Sequence, residues 1–199
     1  MKNPYKTCPV FENDTYLLRF VEITDVNDLL AVYSDEKSVP FFNSDNCGGD
    51  DFHYTTIDRM SEAIRYWLWE YQRHGFVRWT IYDKSIKKAI GTIELFHRTA
   101  NDFYTDCGLL RLDLRSDYEN VSCISEILTL ILIPTFEMFS CRMIATKIVS
   151  AACERKAAFE AMGFSAQAEF LVGHDGTHYT DYYILSKNRD VEAPSPTET

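Results

Sequence analysis

One segment constrains the fold more than any other, because in it an alternating strand leads through a polar turn into a long apolar helix. In the strand predicted at 108–115, leucines occupy every second position and charged residues lie between them. That period of two predicts a strand with one apolar face and one charged face. A helix is predicted at 120–139, where apolar residues recur at helical spacing. Backbone N–H groups at the start of a helix bind anions, so the junction Leu114–Ile124 is a candidate site.

The other patterns predict the α/β (α+β) class, with a mixed, mostly antiparallel sheet of about seven strands flanked by about four helices. Further strands are predicted at 16–21, 76–82, 89–96, 143–149, 166–172 and 178–185, and further helices at 24–32, 55–71 and 152–162. Alternation in the strand at 76–82 predicts that it is half-buried. Thr55 is expected to begin the second helix in a capping box with Asp58, and Pro134 to kink the third helix or end it early.

One domain accounts for most of the chain. Residues 1–14 are expected to form a loose N-terminal arm and residues 15–187 the domain itself. Residues 188–199 are rich in Pro, Glu, Ser and Thr, which predicts a disordered tail. A loop is predicted at 40–54, and loops of that length inside a domain are usually functional or disordered.

The acidic composition narrows the classes of partner. The chain has a formal net charge of -10, so we expect it to bind neither nucleic acid nor an anionic membrane surface. The longest apolar run, 127–134, is too short to span a bilayer. Six cysteines stand without a CxxC pair or a histidine at metal-ligand spacing, and no signal-peptide pattern opens the sequence. These features predict free thiols, no metal site and a cytoplasmic protein.

Three segments carry a family resemblance: LRF…TDVNDLLAVYSDEKSVPFF, LLRLDLRSDYENVSCISEIL and ERKAAFEAMGF. In this order and spacing they resemble the GNAT acyltransferases, in particular the branch of the ribosomal-protein N-terminal acetyltransferases. The resemblance covers about residues 15–186 and implies the GNAT fold, with acetyl transfer from acetyl-CoA to an amine by direct attack. It also implies that the strand at 108–115 holds the pantetheine arm and that the helix after it binds the pyrophosphate.

The pyrophosphate loop of that family reads Arg/Gln-x-x-Gly-x-Gly/Ala, and the matching positions here depart from it. Glu119 replaces the basic or amide residue, Ser122 the glycine and Ile124 the small final residue. Negative charge on Glu119 and Asp117 is expected to weaken CoA binding by about tenfold or more. The cofactor-binding residues that the resemblance implies are Leu112, Leu114, Asn120, Val121, Ser122, Cys123, Ile124 and Arg155.

A second departure lies in the late helix, where the family often has the pattern Asn-x-x-Ser. The matching positions here are Ala152 and Arg155. Arg155 either contributes a cation to a CoA phosphate or is a solvated surface residue.

Three residues are candidates for the proton transfers of such a reaction. Glu94 lies on a central strand, where burial would raise its pKa and suit a base; the alternative is an exposed carboxylate paired with Arg78 or Arg111. Asp113 is a base, an anchor for a cationic acceptor or a member of an ion-pair ladder. Tyr118 either protonates the departing thiolate or only packs.

The loop at 40–54 matches the place where this branch of the family binds its acceptor. Asn43, Asp45 and Arg111 are the predicted acceptor-binding residues. The acidity of the loop suits an amine on a small molecule or a peptide, while a Ca²⁺ site is a rival that the residue spacing does not support.

Two functions therefore stay open at the level of sequence. The first is an N-acetyltransferase that uses acetyl-CoA. The second is a binding or regulatory protein with the GNAT fold that no longer turns acetyl-CoA over, because its loop is altered. The sequence leaves open whether the chain forms a homodimer.

Overall fold

The computed structural model describes residues 3–187, which form four α-helices and ten strands. The helices are α1 (Val26–Tyr33), α2 (Ile57–Gln72), α3 (Val121–Met138) and α4 (Cys153–Ala161). The strands are β1 (Phe11–Glu12), β2 (Tyr16–Phe20), β3 (Val77–Asp83), β4 (Lys88–Arg98), β5 (Cys107–Leu114), β6 (Met143–Lys147), β7 (Ser165–Ala166), β8 (Leu171–Val172), β9 (His178–Tyr179) and β10 (Tyr182–Ser186). The number of helices is confirmed, and the predicted tail at 188–199 lies outside the described residues.

Eight of the strands form one sheet in the order β1-β2-β3-β4-β5-β6-β10-β7, while β8 and β9 pair separately. Every neighbouring pair in the sheet is antiparallel except β5 and β6, which are parallel. The predicted mixed, mostly antiparallel sheet is therefore confirmed, with eight strands instead of about seven. Helices α1 and α2 pack on one face of it, and α3 packs on the other face with α4 beside it.

The polar positions of the three central strands lie in register on the face beneath α1 and α2. Arg78 of β3 stands opposite Glu94 of β4, which stands opposite Arg111 of β5. Thr92 and Asp113 form the next opposed pair. The prediction that β3 is half-buried is wrong, because helices cover both faces of the sheet and leave Arg78 only 2% exposed.

Helix α3 packs on the leucine face of β5, as the alternation of that strand predicts. Its buried side chains are Ile124, Ile127, Leu128, Ile131, Leu132 and Thr135. Burial of each large aliphatic side chain contributes about 1.5–3 kcal/mol. The helix has the length and mean hydropathy (1.6) of a membrane span, but six of its side chains are buried in this domain. It continues through Pro134 to Met138, so it does not end early.

The strands predicted at 166–172 and 178–185 are not continuous, so both predictions are wrong in length. Short strands replace the first, one in the large sheet and one in a hairpin. The second is interrupted at Asp181, whose φ of 65° is left-handed and breaks the extended backbone. A tight turn joins β8 and β9, with the Gly173 N–H donating to the Thr177 carbonyl at 2.8 Å. This hairpin leaves the sheet and lies beside the loop at 43–54, where the Asn46 N–H donates to the Tyr179 hydroxyl at 3.0 Å.

Two local predictions near the N-terminus need correction. The second helix is capped by Thr56, not Thr55, because the Thr56 hydroxyl accepts the Arg59 N–H at 3.2 Å. The arm expected to be loose packs on the sheet through β1, and the Trp79 Nε1–H donates to the Pro9 carbonyl at 2.7 Å.

Candidate functional site

A cavity of about 780 Å³ opens above the charged face of β3, β4 and β5, between α2 and the loop at 43–54. Its aromatic lining includes Phe52, Tyr54, Trp67 and Phe96, and its floor includes Arg78, Glu94 and Arg111. A smaller cavity of about 230 Å³ adjoins it, and Phe96 and Arg111 line both. Aromatic walls over a few convergent polar groups are typical of a ligand site.

Arg78 is the centre of a buried network in the cavity floor. Its Nε donates to Glu94 Oε2 at 3.2 Å, and its Nη1 donates to the Tyr33 hydroxyl at 2.7 Å and to Asp113 Oδ2 at 3.1 Å. The guanidinium also lies over Trp67, with its carbon 4.1 Å from the ring centroid. One cation is thus held between two carboxylates and an aromatic ring, so its position is fixed from several sides.

A second arginine extends this floor toward the loop. Arg111 Nη1 donates to Glu94 Oε1 at 2.7 Å, and its Nη2 donates to the Asp45 carbonyl at 2.9 Å. Glu94 therefore accepts hydrogen bonds from two guanidinium groups. The predicted pairing of Glu94 with Arg78 or Arg111 is confirmed for both partners, but Glu94 is 1% exposed and not an exposed carboxylate.

The pKa values of the two carboxylates that Arg78 contacts are shifted in opposite directions. Burial of Glu94 opposes its ionised form, but Arg78 and Arg111 outweigh that effect and lower the pKa of Glu94. The expectation of a raised pKa at Glu94 is therefore wrong. Burial raises the pKa of Asp113, which has Arg78 as its only hydrogen-bonded cation in the described part of the chain. Within residues 3–187, Asp113 Oδ1 is buried and has no hydrogen-bond partner.

The loop at 43–54 is attached to the sheet by its own polar groups. Lys147 Nζ donates to both carboxylate oxygens of Asp45, at 2.6 and 2.8 Å. The Tyr182 hydroxyl donates to Asp45 Oδ2 at 3.2 Å and accepts from Asn43 Nδ2 at 3.4 Å. Asn43 and Asp45 thus hold the loop against β6 and β10, and the Asp45 carbonyl contacts Arg111; acceptor binding by these three residues stays a prediction.

A second carboxylate of the loop is neutralised as well. Arg59 Nη2 donates to Asp50 Oδ2 at 2.5 Å, and the Tyr54 hydroxyl donates to the same oxygen at 2.9 Å. Charge pairing removes much of the acidity that favoured a cationic acceptor. Among residues 3–187, no three His, Cys, Asp or Glu side chains come together as ligands for a metal ion.

Tyr118 lies apart from this cavity, in the turn between β5 and α3. Its hydroxyl donates to Asp83 Oδ2 at 2.7 Å, at the end of β3. Burial and the Asp83 carboxylate raise the pKa of Tyr118 to about 12. The structure therefore does not bring Tyr118 together with Glu94 and Asp113.

Strands β5 and β6 separate toward the end of β5, and the gap between them is called the cleft. The parallel pairing of β5 with β6 extends only to the pair Leu110 and Thr146, so residues 111–114 leave β6 and form one wall of the cleft. The Leu112 carbonyl on this wall accepts a hydrogen bond from Arg155 Nη1 at 2.8 Å. Arg155 of α4 is 2% exposed, so the alternative of a solvated surface arginine is wrong.

Arg155 fills the cleft together with Glu119. Its Nη1 also donates to the Phe41 carbonyl at 2.9 Å, and its Nε donates to Glu119 Oε2 at 3.2 Å. Its Nη2 pairs with the other oxygen of Glu119, which makes the ion pair bidentate. The side chain of Glu119 is 6% exposed, so both charges are buried.

The first turn of α3 lies beside this cleft, and its Val121 and Cys123 amides already have partners. Asn120 caps the helix by accepting the Cys123 N–H at 3.0 Å. The Val121 N–H donates to Glu154 Oε2 at 3.1 Å. Ser122 is exposed at this end, whereas Ile124, like Leu114, is buried in the core. Of the residues implied for cofactor binding, Leu112 and Arg155 thus meet in the cleft, and Asn120, Val121, Ser122 and Cys123 form the cap and first turn of α3.

Solved structures supply the comparison with known proteins. The ribosomal-protein-S5-alanine acetyltransferase of Vibrio fischeri superposes with a TM-score of 0.66 at 17% identity, covering 90% of this chain and 96% of that one. A GNAT-family acetyltransferase of Bacillus anthracis gives 0.65 at 12% identity, covering 89% and 98%. The chain has the GNAT acetyltransferase fold. MccE, the microcin C7 self-immunity acetyltransferase solved with acetyl-CoA and AMP, shares this GNAT fold with a TM-score of 0.68 at 12% identity, covering 88% and 94%.

Sequence comparison adds nothing to that assignment, since no protein-family model and no curated protein matches the chain. The GNAT fold predicted from three short segments is confirmed by shape at identities of 10–19%. At such identities the likeness concerns the fold, and function has to be argued from the site itself.

Sequence reasoning missed several residues of the site, chiefly Tyr33, Trp67, Lys147 and Glu154. Arg78 was identified only as a partner for Glu94. A signal for its central role was available in the polar positions of β3, β4 and β5, which stand opposite one another once the strands are paired. Tyr33 and Trp67 look like ordinary core residues in a helical pattern, and nothing in that pattern distinguishes them.

Proposed function

We propose that the chain is an N-acetyltransferase that transfers an acetyl group from acetyl-CoA to an amine acceptor bound in the cavity beneath α2. One observation carries the proposal: the cavity and the cleft meet at adjacent residues of β5. Arg111 points into the cavity floor, while the Leu112 carbonyl lies on the cleft wall. An acceptor in the cavity and an acyl donor in the cleft would thus be neighbours, and proximity is a large part of such catalysis.

The backbone of the cleft fits a pantetheine arm, since the Leu112 carbonyl faces away from β4 and is free of β6, and a side-chain N–H already bonds to it. Leu112 and the first turn of α3 at Asn120–Cys123 would hold the cofactor, which supplies an activated thioester. The side chains of Arg155, Glu119 and Glu154 now take those positions. They must move for the cofactor to enter.

The two carboxylates that contact Arg78, Glu94 and Asp113, have distinct roles. Glu94, whose pKa is lowered, serves to hold Arg78 and Arg111 in place. Asp113 has a raised pKa and one oxygen without a partner among the described residues, which suits a group that accepts a proton. The acceptor is an amine on a small molecule or a peptide; a cytoplasmic location remains a prediction from the sequence, and whether the chain forms a homodimer stays open.

A second function is favoured by the filled cleft. If Arg155 and Glu119 stay paired, the chain is a binding or regulatory protein that uses only the cavity. A buried ion pair is costly to break on one side, because it leaves the other charge without a partner. The two functions differ in whether acetyl-CoA binds at all.

Thermal unfolding with acetyl-CoA, followed by thiol release over a panel of amines, separates the two. The proposed enzyme should show a higher Tm at millimolar acetyl-CoA, because a ligand bound only to the native state stabilises it. Thiol release should require an amine and should fall by about 100-fold in Asp113→Asn, which keeps the side-chain volume. An unchanged Tm together with no thiol release would rule out acetyl transfer and leave the binding function.

A further inference from the structure

The two departures from the family pattern meet in space. Glu119 lies in the altered pyrophosphate loop and Arg155 in the late helix, 36 residues apart in hydrogen-bond contact. Each alone looks like the loss of a cofactor-binding residue. Together they form a bidentate ion pair, in which the side chain of Arg155 is 2% exposed and that of Glu119 is 6% exposed.

The position of this pair resembles that of a bound ligand. Arg155 enters the gap between β5 and β6 and donates to the Leu112 carbonyl at 2.8 Å, as an amide N–H of a pantetheine arm would. It also donates to the Phe41 carbonyl at 2.9 Å, in the segment that precedes the loop at 43–54. Glu119 closes the end nearest α3, where Glu154 accepts the Val121 N–H.

We propose that the Arg155–Glu119 pair is an internal substitute for the pantetheine arm, and that acetyl-CoA enters the cleft only when Arg155 withdraws. This inference rests on the proposed function, since it assumes that the open cleft admits acetyl-CoA. It assigns Arg155 and Glu119 as residues that set cofactor affinity without touching the acceptor. Because the pair fills the cleft in the closed state, the apparent affinity for acetyl-CoA is the intrinsic affinity multiplied by the fraction of molecules whose cleft is open.

The pair is able to close the cleft because its parts belong to different elements. Arg155 is carried by α4 and Glu119 by the turn before α3, so the pair can separate without breaking a strand pairing. Pantetheine is uncharged and leaves Glu119 without a cation, which favours the closed state.

The test compares two double variants with the native chain. Glu119→Gln/Arg155→Ser removes both charges and most of the Arg155 side chain, and Glu119→Gln/Arg155→Gln removes both charges while keeping a longer polar side chain at position 155. The matched control is Lys156→Gln/Glu160→Gln, an ion pair on α4 whose side chains are 47% and 49% exposed. Calorimetric titration gives dissociation constants for acetyl-CoA, for pantetheine and for 3′,5′-ADP, and urea unfolding confirms that each variant folds.

We expect both cleft variants to bind acetyl-CoA and pantetheine at least about tenfold more tightly than the native chain. The control should bind as the native chain does, and 3′,5′-ADP, which lacks the arm, should not distinguish the proteins. Equal or weaker acetyl-CoA binding by the cleft variants overturns the inference. If the native chain binds and turns over acetyl-CoA in that case, the proposed function stands; if no protein binds acetyl-CoA, both fall.

Discussion

Two buried arginine–carboxylate networks lie on either side of β5 and have opposite consequences for the space around them. In the cavity floor, Arg78 and Arg111 hold Glu94 and leave about 780 Å³ open above it. In the cleft, Arg155 and Glu119 fill the gap between β5 and β6. The same kind of ion pair therefore builds a binding site in one place and occupies one in the other.

The difference follows from where the charges are attached. The floor residues are neighbours across hydrogen-bonded strands, so they cannot separate unless the sheet itself opens. The cleft residues are attached to a helix and a turn, whose relative position depends on packing alone. We therefore expect the floor to behave as a rigid part of the fold and the cleft pair as a contact that can exchange.

The largest expected effect tests the rigidity of the floor. Arg78→Met removes the cation shared by Glu94 and Asp113, so it should lower the free energy of unfolding by about 3–5 kcal/mol. The matched control is Arg73→Met, which removes an exposed arginine that also lies over a tryptophan, and should cost under about 1 kcal/mol. Both are measured by urea unfolding. A cost for Arg78→Met as small as that of the control would contradict a structural role for the floor.

A smaller loss of stability is expected when the carboxylate of the cavity floor is changed. Glu94→Gln is expected to cost about 2–3 kcal/mol at pH 7, because two guanidinium groups lose their counter-charge. Because the pKa of Glu94 is lowered in the folded chain, its ionised form stabilises the fold at pH values above 4.5, the ordinary pKa of the group. That contribution disappears as the pH falls through the lowered value, so the cost of Glu94→Gln should shrink in acid.

Asp113→Asn should behave in the opposite way. The raised pKa of Asp113 means that the native chain loses stability as the pH rises from 3.8 through the raised value. Asp113→Asn lacks this loss, so its cost should be smaller at pH 7 than at pH 4. Urea unfolding of both variants at pH 4, 5.5 and 7 provides the comparison. Parallel pH profiles would show that the two carboxylates do not differ as proposed.

The alternation of β5 explains how much of this could be predicted from the sequence. Leucines at every second position correctly indicate the face that packs on α3, because that face needs only one apolar layer. The same alternation in β3 predicts a half-buried strand, and this fails because α1 and α2 cover the charged face of the sheet. A period of two reports which residues share a face, but not what covers that face.

The cleft shows a different limit. Glu119 and Arg155 were each recognised as departures from the family pattern, yet their contact joins two elements that no local period relates. The same holds for Lys147 and Asp45, which lie 102 residues apart. Side-chain contacts between distant elements require the three-dimensional arrangement, whereas the elements themselves follow from local pattern.

The smallest expected effect concerns the first turn of α3 beside the cleft, where the charge contact is exposed. Glu154→Gln weakens the acceptor of the Val121 N–H and removes a negative charge from the first turn of α3. Because a carboxylate at a helix N-terminus contributes about 0.3–1 kcal/mol at low salt, the loss of stability should stay in that range and vanish in 1 M NaCl. Urea unfolding at both salt concentrations measures it, with Glu160→Gln on the same helix as the control. A salt-independent loss of about 2 kcal/mol or more would place Glu154 with the buried networks. The three carboxylates Glu94, Glu119 and Glu154 would then all be fixed parts of the fold, and the cleft would have no exchangeable contact at this helix end.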